Sequence, residues 1–178
     1  MGSPTLIGFE QKVVVGVAEM AVTNNPSAIL STYSLGSCLG IGVHDPVRRV
    51  GGLLHIMLPD STIDPAKASA RPAMFVDTGV PALFRAAYQL GAERQRLIVT
   101  VAGGAAVMDP SGFFNIGKRN YQSLMALLMK NGLSVHAEQV GGYVNRTMYL
   151  HVTSGVVRLK VSGQPKEQWL WGEQRMKG

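Results

Sequence analysis

The chain has one cysteine, Cys38, among 178 residues. A single thiol closes no internal disulfide, which excludes a disulfide-stapled secreted scaffold and a cysteine-based zinc site. Long apolar runs are also missing. The longest strongly apolar, uncharged run is Leu97–Met108, twelve residues, whereas a membrane helix needs about 20. Met1–Glu10 carries no basic segment followed by an apolar core, so no signal peptide is read. The nucleotide-binding patterns G-x-x-x-x-G-K-[ST] and G-x-G-x-x-G are both absent, which argues against nucleotide binding. None of the four histidines has metal-ligand spacing, and no carboxylate cluster completes a site. The expectation is a soluble cytoplasmic protein with no cofactor, no metal and no membrane insertion.

What is present suits one globular domain. Hydrophobic residues make up 46% of the chain, near the globular average, and this length buries a core without staples. Seventeen Lys and Arg against eleven Asp and Glu give a net charge of +6. That excess serves solubility or draws an acidic partner. The basic residues are scattered, densest near the end at Arg158, Lys160, Lys166, Arg175 and Lys177. No aromatic-interleaved basic stripe is seen, so an acidic protein surface fits better than nucleic acid.

Periodicity predicts strands over 12–22, 27–33, 39–44 and 50–58, the last two joined by the turn "DPVRR" into an antiparallel hairpin. Residues 59–72 hold three prolines and read as a loop, either a plain connection or a lid. A helix is expected over 73–91, with Pro72 in its first turn, Gly91 at its end and a kink or break at Pro81. A strand and glycine turn follow at 96–105. The clearest helix is 118–132, where Tyr121, Leu124, Met125 and Leu128 keep helical spacing. A strand at 133–140, a hairpin at 146–161 and a loose tail at 162–178 complete the chain. The Gly-Gly pairs 51–52, 103–104 and 141–142 read as turn or bulge positions. This is an α+β class, a layered α-β sandwich with mixed and antiparallel sheets and two main helices. Its organisation is an N-terminal segment 1–11, a domain 12–161 and a tail 162–178.

Cys38 lies in "TYSLGSCLGIGVHDP". A free cysteine is often an inert core residue. Here Gly36 permits a sharp turn that aims successive N–H groups at one point, where they could lower the thiol pKa and hold an oxyanion. Ser31, Thr32, Ser34 and Ser37 make the surroundings polar. If the hairpin forms, its open end places Cys38 near His55 of "GGLLHIMLP", and a Cys–His pair is the minimum for thiol acyl transfer. His44 falls at the far end of the hairpin, and His136 and His151 on later strands. A third group often orients the imidazole. Asp45, Asp60, Asp64 and Thr32 all qualify by type, and spacing does not choose between them.

"STYSLGSCLGIGVHDP" and "GGLLHIMLP" resemble the signature of the chemoreceptor glutamine deamidases, the CheD family. The likeness continues through "FVDTGVPALFRAAYQLGAERQRL", "AGGAAVMDP", "NIGKRNYQSLMALLMKNGL" and "VGGYVNRTMYLHVTSG", over residues 12–161. The resemblance implies a catalytic cysteine, histidine and threonine at Cys38, His55 and Thr32, and so favours Thr32 over the aspartates. Backbone support from Gly36 and Ser37 is expected for the oxyanion. The implied reaction turns glutamine side chains of methyl-accepting chemotaxis receptors into glutamate, and a CheC-type phosphatase is an implied further partner. Two other readings use the same residues. One is a different thiol hydrolase, such as a peptidase or a transglutaminase-like enzyme. The other is a receptor-binding adaptor in which Cys38 is silent.

Overall fold

A computed structural model of the chain describes residues 9–109 and 111–172. Its strands are β1 (Gln11–Val14), β2 (Glu19–Thr23), β3 (Ala28–Leu35), β4 (Leu39–Asp45), β5 (Val50–Ile56), β6 (Ile98–Gly103), β7 (Ala137–Val140), β8 (Arg146–His151), β9 (Val157–Val161) and β10 (Gln168–Trp171). The helices are α1 (Pro65–Ala70), α2 (Val76–Gln89) and α3 (Ile116–Lys130). One sheet runs β1-β3-β8-β9-β10 and the other β2-β5-β4-β6-β7. The β1–β3 and β6–β7 pairs are parallel and the remaining pairs antiparallel.

Alternation of side chains divides the core in two. Leu39, Ile41, Val43, Leu54 and Ile56 face Val80, Leu83, Phe84, Leu124 and Leu128 of α2 and α3. Leu53 and Ala102 point the other way, onto Leu30, Leu35, Met148, Leu150 and Leu159 of the first sheet. The layers are therefore sheet, sheet, helices, an α+β sandwich. β4 and β5, covered on both faces, are buried at every residue. That double burial is why their sequences run almost continuously apolar.

Several elements depart from the sequence expectations. The run 12–22 is two strands in different sheets. The chain reverses at 15–18, where Ala18 has φ +58° and the Gly16 N–H donates to the Glu19 carboxylate at 2.9 Å. Apolar periodicity does not register such a reversal. Within 59–72, α1 forms because Asp64 caps Lys67 N at 3.1 Å and Pro65 takes the first helical position. Pro72 opens a separate short 3-10 turn, Pro72–Met74, and α2 begins only at Val76. Pro81 sits inside α2 without breaking it. The tail contributes β10, an edge strand on β9, and residues 173–178 of that tail lie outside the described ones. Gly51 and Gly52 belong to the interior of β5. A Cβ on Gly51 would come 2.9 Å from Leu150, and one on Gly52 2.9 Å from Leu83 and Val43, so this pair serves close packing instead of a turn.

Candidate active site

The site lies at the open end of the β4–β5 hairpin. The register sets Gly40 opposite His55 and Leu39 opposite Ile56. Cys38 precedes this last pair and packs against the core between the sheets. Cys38 lies in a bend just outside β4, two residues before the Gly40 that faces His55, and a diagonal relation of that kind spans roughly 7–8 Å between Cα atoms. Gly40 stands between them without a side chain. A Cβ there would approach Leu35 at 2.9 Å and Met148 at 3.0 Å. The register thus sets the cysteine and histidine that hairpin reasoning paired at the same end of the hairpin.

Thr32 of β3 reaches His55 from the opposite sheet. Its hydroxyl oxygen lies 2.7 Å from the Val15 carbonyl oxygen and 2.7 Å from His55 Nδ1. Two oxygens that close need a proton between them, and Thr32 has only one to give. The hydroxyl therefore donates to Val15, and His55 Nδ1–H donates to Thr32. That assigns the tautomer and leaves the lone pair on Nε2. Nε2 is buried and has no hydrogen-bond partner among the described residues. Burial pushes the imidazole down to about 4 from 6.5. Burial also pushes the half-buried Cys38 thiol up, opposed by its own backbone N–H. The resting pair is a neutral thiol and a neutral base.

The segment carrying Cys38 is held by backbone from β6. Gly104 N–H donates to the Cys38 carbonyl at 2.9 Å, and Ala105 N–H to the Gly36 carbonyl at 2.8 Å. Gly103 has φ +112°, and a Cβ on it would collide with the Cys38 carbonyl oxygen. The sharp turn expected at Gly36 is accompanied by a positive φ at Ser34, +58°, where a register shift bulges β3 against β8. Gly36 N–H donates to Ser34 at 3.0 Å. Of the backbone donors expected there, the Gly36 N–H is thus taken by Ser34, while no bond from the N–H of Ser37 or Cys38 to an oxygen is found among the described residues.

Other candidates lie elsewhere. Asp45, fully buried at the far end of the hairpin, is paired with Arg96 at 2.9 Å. Asp60 and Asp64 cap short helical turns. His44 Nε2 bonds the Val152 carbonyl at 2.8 Å, His136 Nδ1 accepts from Val99 N–H, and His151 lies 3.0 Å from Arg158.

Sequence reasoning missed three features beside the site. Asn120 of α3 is fully buried and bonds the carbonyls of Ser37 and Met57. Arg146, also buried, bonds the carbonyls of Gly103 and Gly141. Ser37 borders a cavity of about 460 Å³, walled by Gly104, Ala105, Phe114, Tyr121 and Tyr143 among others. Met108, Phe114 and Tyr143 stand exposed around it, and Phe113 stands exposed next to Phe114. The Asp109 carboxylate fixes that rim by accepting from the N–H groups of Phe113, Phe114 and Asn115 at 2.8–2.9 Å. Adjacent phenylalanines in the polar stretch "MDPSGFFN" were the available signal.

Known proteins resemble this chain in sequence. The family model described as CheD chemotactic sensory transduction matches residues 57–161. A probable chemoreceptor glutamine deamidase CheD of Solibacter usitatus is 48% identical over 157 residues, covering 88% of this chain and 93% of that protein. The chain belongs to the CheD family. Another CheD protein, the probable chemoreceptor glutamine deamidase CheD 1 of Syntrophus aciditrophicus, is 46% identical over 86% of this chain and 96% of its own length. The CheD of Thermococcus kodakarensis, named likewise, is 40% identical over 84% and 92%. The CheD family model begins past His55, whereas the longest of these alignments is too long to leave out residues 32–55. No helix among the described residues of this CheD-family chain is long and apolar enough to cross a membrane.

Proposed function

We propose that this protein hydrolyses glutamine side-chain amides of methyl-accepting chemotaxis receptors, with Cys38 as nucleophile, His55 as general base and acid, and Thr32 as the group that orients His55. One observation carries the reading. A buried imidazole has its tautomer set by Thr32 and its Nε2 left unpartnered, and it stands opposite Gly40, two residues from the only cysteine. An unsatisfied buried polar atom costs about 1–3 kcal/mol, and a base waiting for a thiol proton accounts for it. The names of the relatives supply the substrate class.

The chemistry follows from neutral partners. As the Cys38 sulfur attacks the carboxamide carbon, Nε2 takes the thiol proton, and Nδ1–H stays on Thr32. The N–H groups of Ser37 and Cys38 face the oxyanion. His55 returns the proton to the departing nitrogen, ammonia leaves and a thioester remains. Water, deprotonated by the same Nε2, cleaves the thioester to glutamate and frees the thiol. The cavity beside Ser37, with its aromatic rim, is where the substrate helix would lie. The chain's net charge of +6 favours association with an acidic helical bundle. The reaction belongs in the cytoplasm, and the family resemblance adds a CheC-type phosphatase as a second partner.

The test is incubation with the cytoplasmic domain of a receptor, following ammonia and the intact mass of the receptor. Ammonia released one for one with glutamine loss, on an uncut backbone, is expected. Backbone cleavage, or crosslinking to an amine, would replace this reading with another thiol hydrolase.

A further inference from the structure

Beyond the Cys38, His55 and Thr32 constellation, we infer that Asn120 of α3 is a positioning residue that sets the separation of nucleophile and base. The inference rests on the dyad reading above and adds a part that the reading does not contain.

The geometry begins where the hairpin ends. The β4–β5 ladder pairs residues only as far as Leu39 and Ile56. Cys38 lies one residue before that last pair on one strand, and His55 lies one residue inside it on the other. A frayed hairpin end would let these two side chains drift apart. At this point Asn120 enters from the helix layer. Its Nδ2 donates to the carbonyl of Ser37 at 3.0 Å and to the carbonyl of Met57 at 2.9 Å. Ser37 is the neighbour of Cys38, and Met57 is two residues beyond His55. One carboxamide therefore bridges the two strands beyond the last ladder pair.

The orientation of that amide is not arbitrary. Both partners are carbonyl oxygens, which accept and cannot donate. The NH2 end must face them, and the Oδ1 end is left buried without a partner among the described residues. A purely apolar residue here would leave both carbonyls without this donor. A carboxylate would repel both. Asn is the short side chain that offers two protons from one atom, at a site where Asn120 has no exposed surface. The bridge is anchored at both sides: Met57 N–H donates to the Met74 carbonyl at 2.9 Å, and the Ser37–Cys38 segment is held by Gly104 and Ala105.

The test compares Asn120→Ala with Leu124→Ala. Leu124 lies one turn further along α3, is fully buried against the helix-side core, and has no side-chain hydrogen-bond donor to offer either carbonyl. It reports the effect of loosening α3 alone. Both are placed in the wild-type and His55→Asn backgrounds. Deamidation of a receptor fragment and the iodoacetamide alkylation rate of Cys38 are measured at temperatures where each variant is fully folded. A misplacement of reacting groups lowers kcat by roughly 10–100-fold while KM stays within about twofold. The expected result is such a loss in Asn120→Ala, absent in Leu124→Ala. In the His55→Asn background the Asn120 loss should largely disappear, because there is no base left to misplace. Alkylation should follow the same pattern, and it needs no receptor. Equal losses in the two alanine variants, or an Asn120 loss undiminished without His55, would overturn the inference. A Cys38→Ala protein that still deamidates receptor would overturn the dyad reading itself and this inference with it.

Discussion

Thr32→Val is the most informative perturbation of the proposed site. Valine keeps the branched shape of threonine and removes only the hydroxyl. That hydroxyl makes two bonds of 2.7 Å, one to Val15 and one to His55 Nδ1, and all of Thr32 is buried. In the resting protein its loss strands the Val15 carbonyl and the Nδ1–H, costing about 3 kcal/mol in total at the usual 1–3 kcal/mol per unsatisfied group. In the transition state His55 becomes an imidazolium, and the same bond turns charge-assisted and about twice as strong. The further loss there is about 1–1.5 kcal/mol, which corresponds to a fall of roughly 5–10-fold in kcat. The Nε2–H tautomer, which offers Cys38 no lone pair, also becomes competitive. The assay is kcat on a receptor fragment, with a urea unfolding curve for each protein. Thr32→Ser, which keeps the oxygen, should restore most of the rate. A valine variant with unchanged kcat, or a serine variant as poor as valine, would refute the argument that Thr32 sets the tautomer.

Three further outcomes follow from the same geometry. Because burial holds His55 at about 4 in the folded state against 6.5 unfolded, the acid limb of kcat/KM should fall near 4, not near 6.5, in a pH–rate profile. By the same shift the unfolded chain binds the proton more readily. The contribution of His55 is thus full above 6.5 and declines by about 3 kcal/mol as pH falls towards 4, so His55→Asn should flatten the pH dependence of the urea midpoint. Gly103→Ala places a methyl against the Cys38 carbonyl at a φ of +112°, and should destabilise by about 1–3 kcal/mol while abolishing deamidation, read by unfolding and turnover. Arg96→Ala leaves the fully buried Asp45 carboxylate without its cation. Burial would raise that carboxyl, but Arg96 and the N–H groups of Arg48, Glu93 and Val47 hold it well below its usual range. The cost should be about 3 kcal/mol by urea denaturation, with kcat intact because Asp45 lies at the far end of the hairpin.

The heart of the site was legible because a two-strand hairpin converts sequence spacing into geometry. The turn "DPVRR" between two apolar runs sets the register, and the register puts His55 opposite Gly40, two residues from Cys38. Thr32 was not legible in that way, since it comes from the other sheet, and only the family resemblance separated it from three aspartates. Asn120 escaped because the helix was read a little out of phase. The buried stripe of α3 is Gly117, Asn120, Leu124 and Leu128, whereas Tyr121 and Met125 remain partly exposed. A polar residue on a buried stripe looks like a flaw in periodicity until its partners are known. Helix α1 was hidden by prolines that in fact open helical turns. Strand β10 was hidden by the polar and charged residues around a four-residue run, "QWLW".

The most direct test of the central claim is peptide mass mapping of a receptor cytoplasmic domain after incubation with wild type and with Cys38→Ala. The account predicts glutamine-to-glutamate conversion at discrete positions with wild type and none with the variant. Conversion at equal rates with both proteins would contradict it.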